Sequence, residues 1–191
     1  MGIDLLSLNG SKLYGPKGTG LLYVRTGTEL NPLLYGGGQE RGRRSGTENV
    51  AGVVGLAKAQ ELASSLRESE SHRLTELRDA TIAKVFKTIP DARLNGDAKH
   101  RLPNNLNFTI PGVEGEALVL YLDNAGFMVS TGSACSSGDL DPSHVLLAIG
   151  RSRDEASQSL RVTLGRQTTA ADLEALVAVL PGIVHRLREL D

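Results

Sequence analysis

Two short apolar runs open the chain: Ile3-Asp4-Leu5-Leu6-Ser7-Leu8 and Gly20-Leu21-Leu22-Tyr23-Val24. Each has strand length, and Gly15-Pro16-Lys17-Gly18 between them reads as a turn. The first run looks like a buried strand that needs neighbours on both sides. Apolar positions then recur at helical spacing. Val53, Val54, Leu56, Ala57 and Leu62 predict a helix over roughly 49–66, opened by Thr47-Glu48. Leu74, Leu77, Ile82, Val85 and Phe86 predict a second over 70–88, ended by Ile89-Pro90. Alternation marks a short strand at 92–94, a turn at Asn95-Gly96-Asp97 and a strand at 106–110 closed by Pro111-Gly112. Leu118, Val119 and Leu122 form the inward stripe of a helix over 114–124, and 126–129 reads as a short strand. Asp141-Pro142 caps a helix over 143–149, and one more helical turn falls at 154–158. A strand covers 160–164, and Thr168–Asp172 caps a last helix to about 189, with a kink or break expected at Pro181. Mixed strands and helices make this an α/β chain. Its segments are a Gly-rich piece over 1–48, a connecting helix over 49–66 and an α+β domain over 67–191.

Composition narrows the class. With 191 residues, 40% of them apolar and 23% charged, the chain can bury a core. Its net charge of −1 gives no reason to expect nucleic acid as a partner. The single cysteine excludes an intrachain disulfide, and no Cys/His cluster has zinc-ligand spacing. No signal pattern precedes Asp4 and no apolar run reaches membrane-spanning length, so a reducing cytoplasm is the expected compartment.

That single cysteine, Cys135, lies in Ser130-Thr131-Gly132-Ser133-Ala134-Cys135-Ser136-Ser137-Gly138. Gly, Ser and Thr read as a solvent-reachable loop, where a thiolate has access to a target. The competing account is an incidental loop cysteine. Lys12 follows the first strand within Asn9-Gly10-Ser11-Lys12-Leu13-Tyr14. A desolvated lysine at a strand end is placed for Schiff-base chemistry with a carbonyl; a solvated loop lysine is the plainer alternative. The Gly-x-x-x-x-Gly-Lys-Ser/Thr phosphate loop is not present. Arg41, Arg43 and Arg44, among five glycines in 35–48, suit an anion or a solvated loop equally. His144, Asp139 and Asp141 read as packing or capping residues, and His72, His100 and His185 as surface residues.

Six stretches in order along the chain resemble the cysteine desulfurases, pyridoxal 5'-phosphate (PLP) enzymes of aminotransferase fold type I. They are Ser11–Gly18, Gly36–Gly42, Arg44–Asn49, Ser133–Gly138, Pro142–Leu146 and Leu160–Arg166. The resemblance covers the C-terminal half of such enzymes. It implies the end of the large domain followed by a small α+β domain. It also implies that Lys12 holds PLP and moves the substrate Cα proton. By the same resemblance, Cys135 is expected to attack the sulfur of L-cysteine, leaving an enzyme persulfide and alanine. Arg161 is expected to pair with the substrate carboxylate, and Thr47 to reach the PLP phosphate of the other subunit of a homodimer. Asn9 and Ser11 are expected to face the phosphate. The long Ser/Gly loop resembles that of members whose persulfide passes to a partner, such as an Fe–S scaffold.

Two positions depart from the family pattern: Ser11 stands where histidine is usual, and Asn9 where serine is common. Both replacements can still hydrogen-bond a phosphate. Family members are roughly twice as long. The absent half supplies the histidine stacked on the PLP ring, the aspartate on its nitrogen and most of the large sheet. The resemblance therefore also admits a split or non-catalytic half that binds a complementary N-terminal half or a sulfur acceptor. A selenocysteine lyase-like PLP enzyme is a further reading.

Overall fold

The computed structural model describes residues 2–132 and 142–190. The chain divides into two compact units, Met1–Glu68 and Ser69–Asp191. The first holds an antiparallel pair, β1 (Leu5–Asn9) and β2 (Gly20–Val24), in register from Leu5↔Val24 to Asn9↔Gly20. A 3-10 turn, Gly10–Leu13, follows β1 directly. Sequence pattern suggested a buried first strand with two neighbours. The described structure gives β1 one neighbour, and Leu5, Leu6, Leu21, Leu22 and Tyr23 are exposed on this ladder.

Helix α1 (Val50–Thr88) is unbroken, where two helices were expected. The connecting residues Leu66-Arg67-Glu68-Ser69-Glu70 contain neither glycine nor proline, so nothing stops propagation. The Ser65 hydroxyl bonds back to the Leu62 carbonyl at 3.0 Å, and so does not compete for the helical ladder's N–H groups. The expected inward face is also corrected at its start. Val53, Val54 and Ala57 are exposed, and the covered stripe is Gly52, Gly55, Leu56 and Ala59. Pro16 and Thr19 of the β1–β2 connection occupy that side. A Cβ on Gly55 would lie 2.5 Å from Pro16 Cγ, and one on Gly52 would lie 2.8 Å from Thr19 Cγ2. Only glycine permits that approach, so of the expected apolar face at this end Leu56 is covered while Val53, Val54 and Ala57 are not.

The second unit is built on a three-stranded antiparallel sheet in the order β3-β4-β5 (Arg93–Leu94, Asn105–Thr109, Ser159–Thr163). Helices α2 (Gly115–Asn124) and α5 (Ala170–Arg188) and the C-terminal turns of α1 join its core. Leu106 and Phe108 of β4 meet Leu118 and Leu122 of α2, Leu160 of β5, Leu180 of α5 and Val85 of α1 in one buried cluster. Phe86 stands edge-on to Phe108, ring centroids 6.2 Å apart. Arg73 of α1 donates to the carbonyls of Thr168, Gly165 and Arg166, and pairs with Glu70 at 2.8 Å. That clasp ties α1 to the β5–α5 connection.

Two further expectations are corrected here. Residues 126–129 do not form a strand, because their first amide groups close α2. Gly126 sits at φ +91°, its N–H donates to Asp123, and the Phe127 N–H reaches the Leu122 carbonyl. This is a Schellman cap. Pro181 does not break α5, whose stripe of Leu173, Leu176, Val177, Leu180, Val184 and Leu187 stays buried throughout. Packing of that face outweighs the one backbone bond that proline removes. Two short helices complete the unit, α3 (His144–Ala148, with Ser143 at its N-cap position) and α4 (Arg153–Ser157). No helix among the described residues is long and apolar enough to cross a membrane.

Candidate functional site

In the first unit the candidate chemistry gathers at the end of β1. Asn9 pairs with Gly20 as the last step of the ladder, and its carboxamide caps the turn that follows. Asn9 Oδ1 accepts from the Ser11 N–H and the Ser11 hydroxyl, each at 2.9 Å. Tyr14 ends the turn in the left-handed region at φ 59°, and Gly15 N–H returns to the Gly10 carbonyl at 2.9 Å. Lys12 is thus carried on a short, doubly closed turn. Of the two readings of Lys12, desolvated at a strand end or solvated in a loop, the described residues leave it exposed. Among the described residues, neither the Lys12 ammonium nor the Asn9 carboxamide nitrogen has a hydrogen-bond or ionic partner.

The arginine-rich loop has its own framework. Glu40 and Arg41 adopt left-handed backbone angles (φ 51° and 58°), and the Gln39 side chain accepts from the Gly46 N–H at 3.2 Å. The Ser45 hydroxyl bonds the Gly37 carbonyl at 2.9 Å. These bonds fold the two ends of the loop against each other. They present Thr47 exposed, three residues ahead of α1.

In the second unit Arg161 lies mid-way along β5, opposite Asn107 of β4. Its Nε is buried and has no hydrogen-bond partner among the described residues. A buried, unpaired guanidinium donor is costly, and such groups usually mark a ligand or water position. The other edge of β5 receives Ser130 as a one-residue bridge. Arg161 N–H donates to the Ser130 carbonyl at 2.5 Å, and the Ser130 N–H returns to the Arg161 carbonyl at 3.2 Å. Cys135, together with Asp139 and Asp141, lies outside the described residues. Gly132 and Ser143, which flank that stretch, come together: a Cβ on Gly132 would lie 3.5 Å from Ser143 Cβ.

Asn9, Ser11 and Lys12 therefore share one turn, and Thr47 belongs to the same unit. Arg161 and the Ser130–Gly132 root belong to the other. Sequence reasoning missed Ser159, whose buried hydroxyl donates to the Thr131 carbonyl at 2.9 Å. It also missed Gly115, where a Cβ would fall 2.7 Å from the Ser159 carbonyl. A lone serine at a strand start and a glycine at a helix start carry no chemical signature, so only the fold exposes them.

Within the first unit the donors suit PLP, with one amine for an aldehyde and carboxamide and hydroxyl groups for a phosphate. Within the second, Arg161 offers a guanidinium suited to a carboxylate. None of these groups is sequestered in an ion pair among the described residues.

The sequence matches the aminotransferase class-V family over residues 1–176. It is 53% identical over 190 residues to "Cysteine desulfurase IscS" of Dictyoglomus turgidum, covering 100% of this chain and 48% of that protein. It is 49% identical to "Cysteine desulfurase IscS 1" of Archaeoglobus fulgidus, covering 100% of this chain and 50% of that protein. The chain spans about half the length of the curated relatives it matches. Among solved structures, a "NifS-like protein" superimposes with a TM-score of 0.86 at 31% identity, covering 97% of this chain and 47% of its own. A NifS-like protein from Rickettsia africae gives 0.85 at 29% identity, covering 96% and 48%.

Proposed function

Since the chain belongs to the class-V aminotransferase family, we propose that it is a portion of a PLP-dependent cysteine desulfurase, converting L-cysteine to L-alanine and leaving a persulfide on Cys135. The observation that carries this reading is Arg161. Among the described residues its buried Nε lacks a partner, and its main chain is paired to Ser130, five residues ahead of the only cysteine.

Lys12 would hold the cofactor, with Asn9 and Ser11 toward its phosphate and Thr47 reaching the phosphate across a homodimer. PLP, when bound, withdraws electrons from the Cα of the amino acid it carries. The residues of this chain do the rest. Arg161 receives the substrate carboxylate through its planar guanidinium, which orients the substrate. The Lys12 amine takes the Cα proton and holds it for return. The Cys135 thiolate attacks the substrate sulfur, so an S–S bond forms as the C–S bond breaks. The C–S electron pair stays on the departing carbon, which is protonated to the methyl group of alanine. Cysteine plus enzyme thiol thus become alanine plus enzyme persulfide, with no external oxidant. A sulfur-acceptor protein, such as an Fe–S scaffold, then takes the terminal sulfur.

The matched relatives are about twice as long as this chain. That favours a second expectation: turnover requires the other half of the enzyme, with residues 1–48 as its cofactor-side segment and 67–191 as the domain carrying Cys135. The test adds PLP to the chain, alone and with the N-terminal half of a family desulfurase. Visible absorbance of lysine-bound PLP and alanine release are then recorded. A Lys12-dependent band and Cys135-dependent alanine with the added half are expected, with little alanine from the chain alone. Failure of Lys12→Ala or Cys135→Ser to reduce these signals overturns the reading.

A further inference from the structure

The main chain that leads to Cys135 meets the sheet as a bridge at Ser130. Strand β5 is the edge of the order β3-β4-β5, and among the described residues its open side receives only Ser130. A single-residue bridge is a weak ladder, since most of a strand's stability comes from neighbouring pairs. Ser159, fully buried at the start of β5, adds a second point by donating its hydroxyl to the Thr131 carbonyl at 2.9 Å. Ser130 closes the far side: its hydroxyl bonds the Gly132 carbonyl at 3.0 Å and accepts from the Gly132 N–H at 3.2 Å. The first turn of α2 presses on the same spot. A Cβ on Gly115 would lie 2.6 Å from the Ser157 carbonyl, 2.7 Å from that of Ser159 and 2.9 Å from Thr131 Cγ2. Residues 130–132 are therefore held from three directions, and Arg161 stands two residues along β5 from the Ser159 hydroxyl.

We infer that Ser159 is a positioning residue for sulfur extraction: its buried hydroxyl, through Thr131, sets where the Cys135 segment departs relative to Arg161. This rests on the desulfurase reading above. Among the described residues the Thr131 carbonyl has no other donor, so removing the hydroxyl leaves it without one there, beside a void of one oxygen. The one-residue bridge at Ser130 then carries the root alone. The Ser159 hydroxyl is fully buried and engaged with the Thr131 carbonyl, so its loss should spare the binding of cysteine. It should slow only the step in which the Cys135 thiolate must meet a sulfur held at a fixed place, because that step depends on geometry.

The test uses the assembled enzyme with PLP and compares Ser159→Ala, Ser159→Thr and Ser130→Ala with the unsubstituted protein. Two rates are followed after mixing with cysteine: the change in the PLP spectrum, and the gain of one sulfur on Cys135 by mass. Amide hydrogen exchange is measured separately without substrate. Ser159→Ala is expected to slow persulfide formation by roughly tenfold, to leave the spectral step within about twofold, and to speed exchange at 130–132 without changing β4. Ser159→Thr, which keeps the hydroxyl, is expected to recover most of the rate. The milder Ser130→Ala, at a partly exposed residue, is expected to fall between them. Faster exchange at 130–132 with unchanged persulfide formation overturns the positioning role and leaves the desulfurase reading standing. Equal slowing of both steps also overturns it, since that is general loss of structure. No persulfide in the unsubstituted enzyme overturns the desulfurase reading, and the positioning role falls with it.

Discussion

The Asn9 carboxamide oxygen accepts from both the N–H and the hydroxyl of Ser11, each at 2.9 Å, so the residue that ends β1 also shapes the turn carrying Lys12. A side chain at the N-cap position that satisfies two donors two residues ahead leaves the intervening backbone little freedom. Asn9→Ala is expected to cost about 1 kcal/mol of local order. The outcome to measure is PLP affinity in the assembled enzyme, by titration of the visible band. A rise in Kd of roughly fivefold, with unchanged thermal stability of the second unit, is expected.

Arg161 has the opposite character, with a buried donor that nothing in the described chain satisfies. Replacing it with lysine removes the planar two-point contact and keeps the charge. Arg161→Lys is expected to lower kcat/KM for cysteine by roughly ten- to hundredfold, corresponding to about 1.5–3 kcal/mol for a charge-assisted bond. Steady-state alanine production checks it, and an unchanged KM would argue against carboxylate binding here.

Arg73 predicts a stability effect. Its guanidinium reaches three carbonyls of the 165–168 connection and the Glu70 carboxylate. Arg73→Met keeps most of the aliphatic stem and loses every one of those bonds. Destabilisation of about 2 kcal/mol is expected, read as a lower urea midpoint with the slope unchanged.

Several carboxylates in the second unit are held below their ordinary pKa. Glu70 is lowered first by its hydrogen bond from Arg73, Asp172 by the Thr169 N–H, and Glu155 by the Ser152 N–H. A depressed folded-state pKa means that the unfolded chain binds protons first as pH falls. The stabilisation is therefore complete above the ordinary carboxylate values of about 4 and disappears as pH drops through the lower, folded values. The melting temperature is expected to be flat near neutrality and to fall below about pH 4. Glu70→Gln should be less stable than the unsubstituted protein at pH 7, and the gap should close in acid.

Much of the second unit was legible in the residues themselves. The 106–110 alternation, the Leu118–Leu122 stripe, the Thr169 cap and the 160–164 strand all stand within a residue or two of where the pattern puts them. These are local signals, set by periodicity and by side chains that bond their own neighbours. The order of Lys12, Cys135 and Arg161 motifs identified the family for the same reason, since chemistry demands particular residues at particular places in the chain.

Sequence by itself thus determined most of the element types, the family and the candidate reactive groups. Only the tertiary structure decided which side of α1 is covered, that α1 runs unbroken past Ser69, and that Gly126 caps a helix where a strand was expected. It alone brought Ser159 to Thr131 and Ser130 to Arg161. The physical reason is that close backbone approach at glycine, and a hydroxyl meeting a carbonyl 28 residues away, leave no periodic or compositional trace. They exist only once distant segments have packed together.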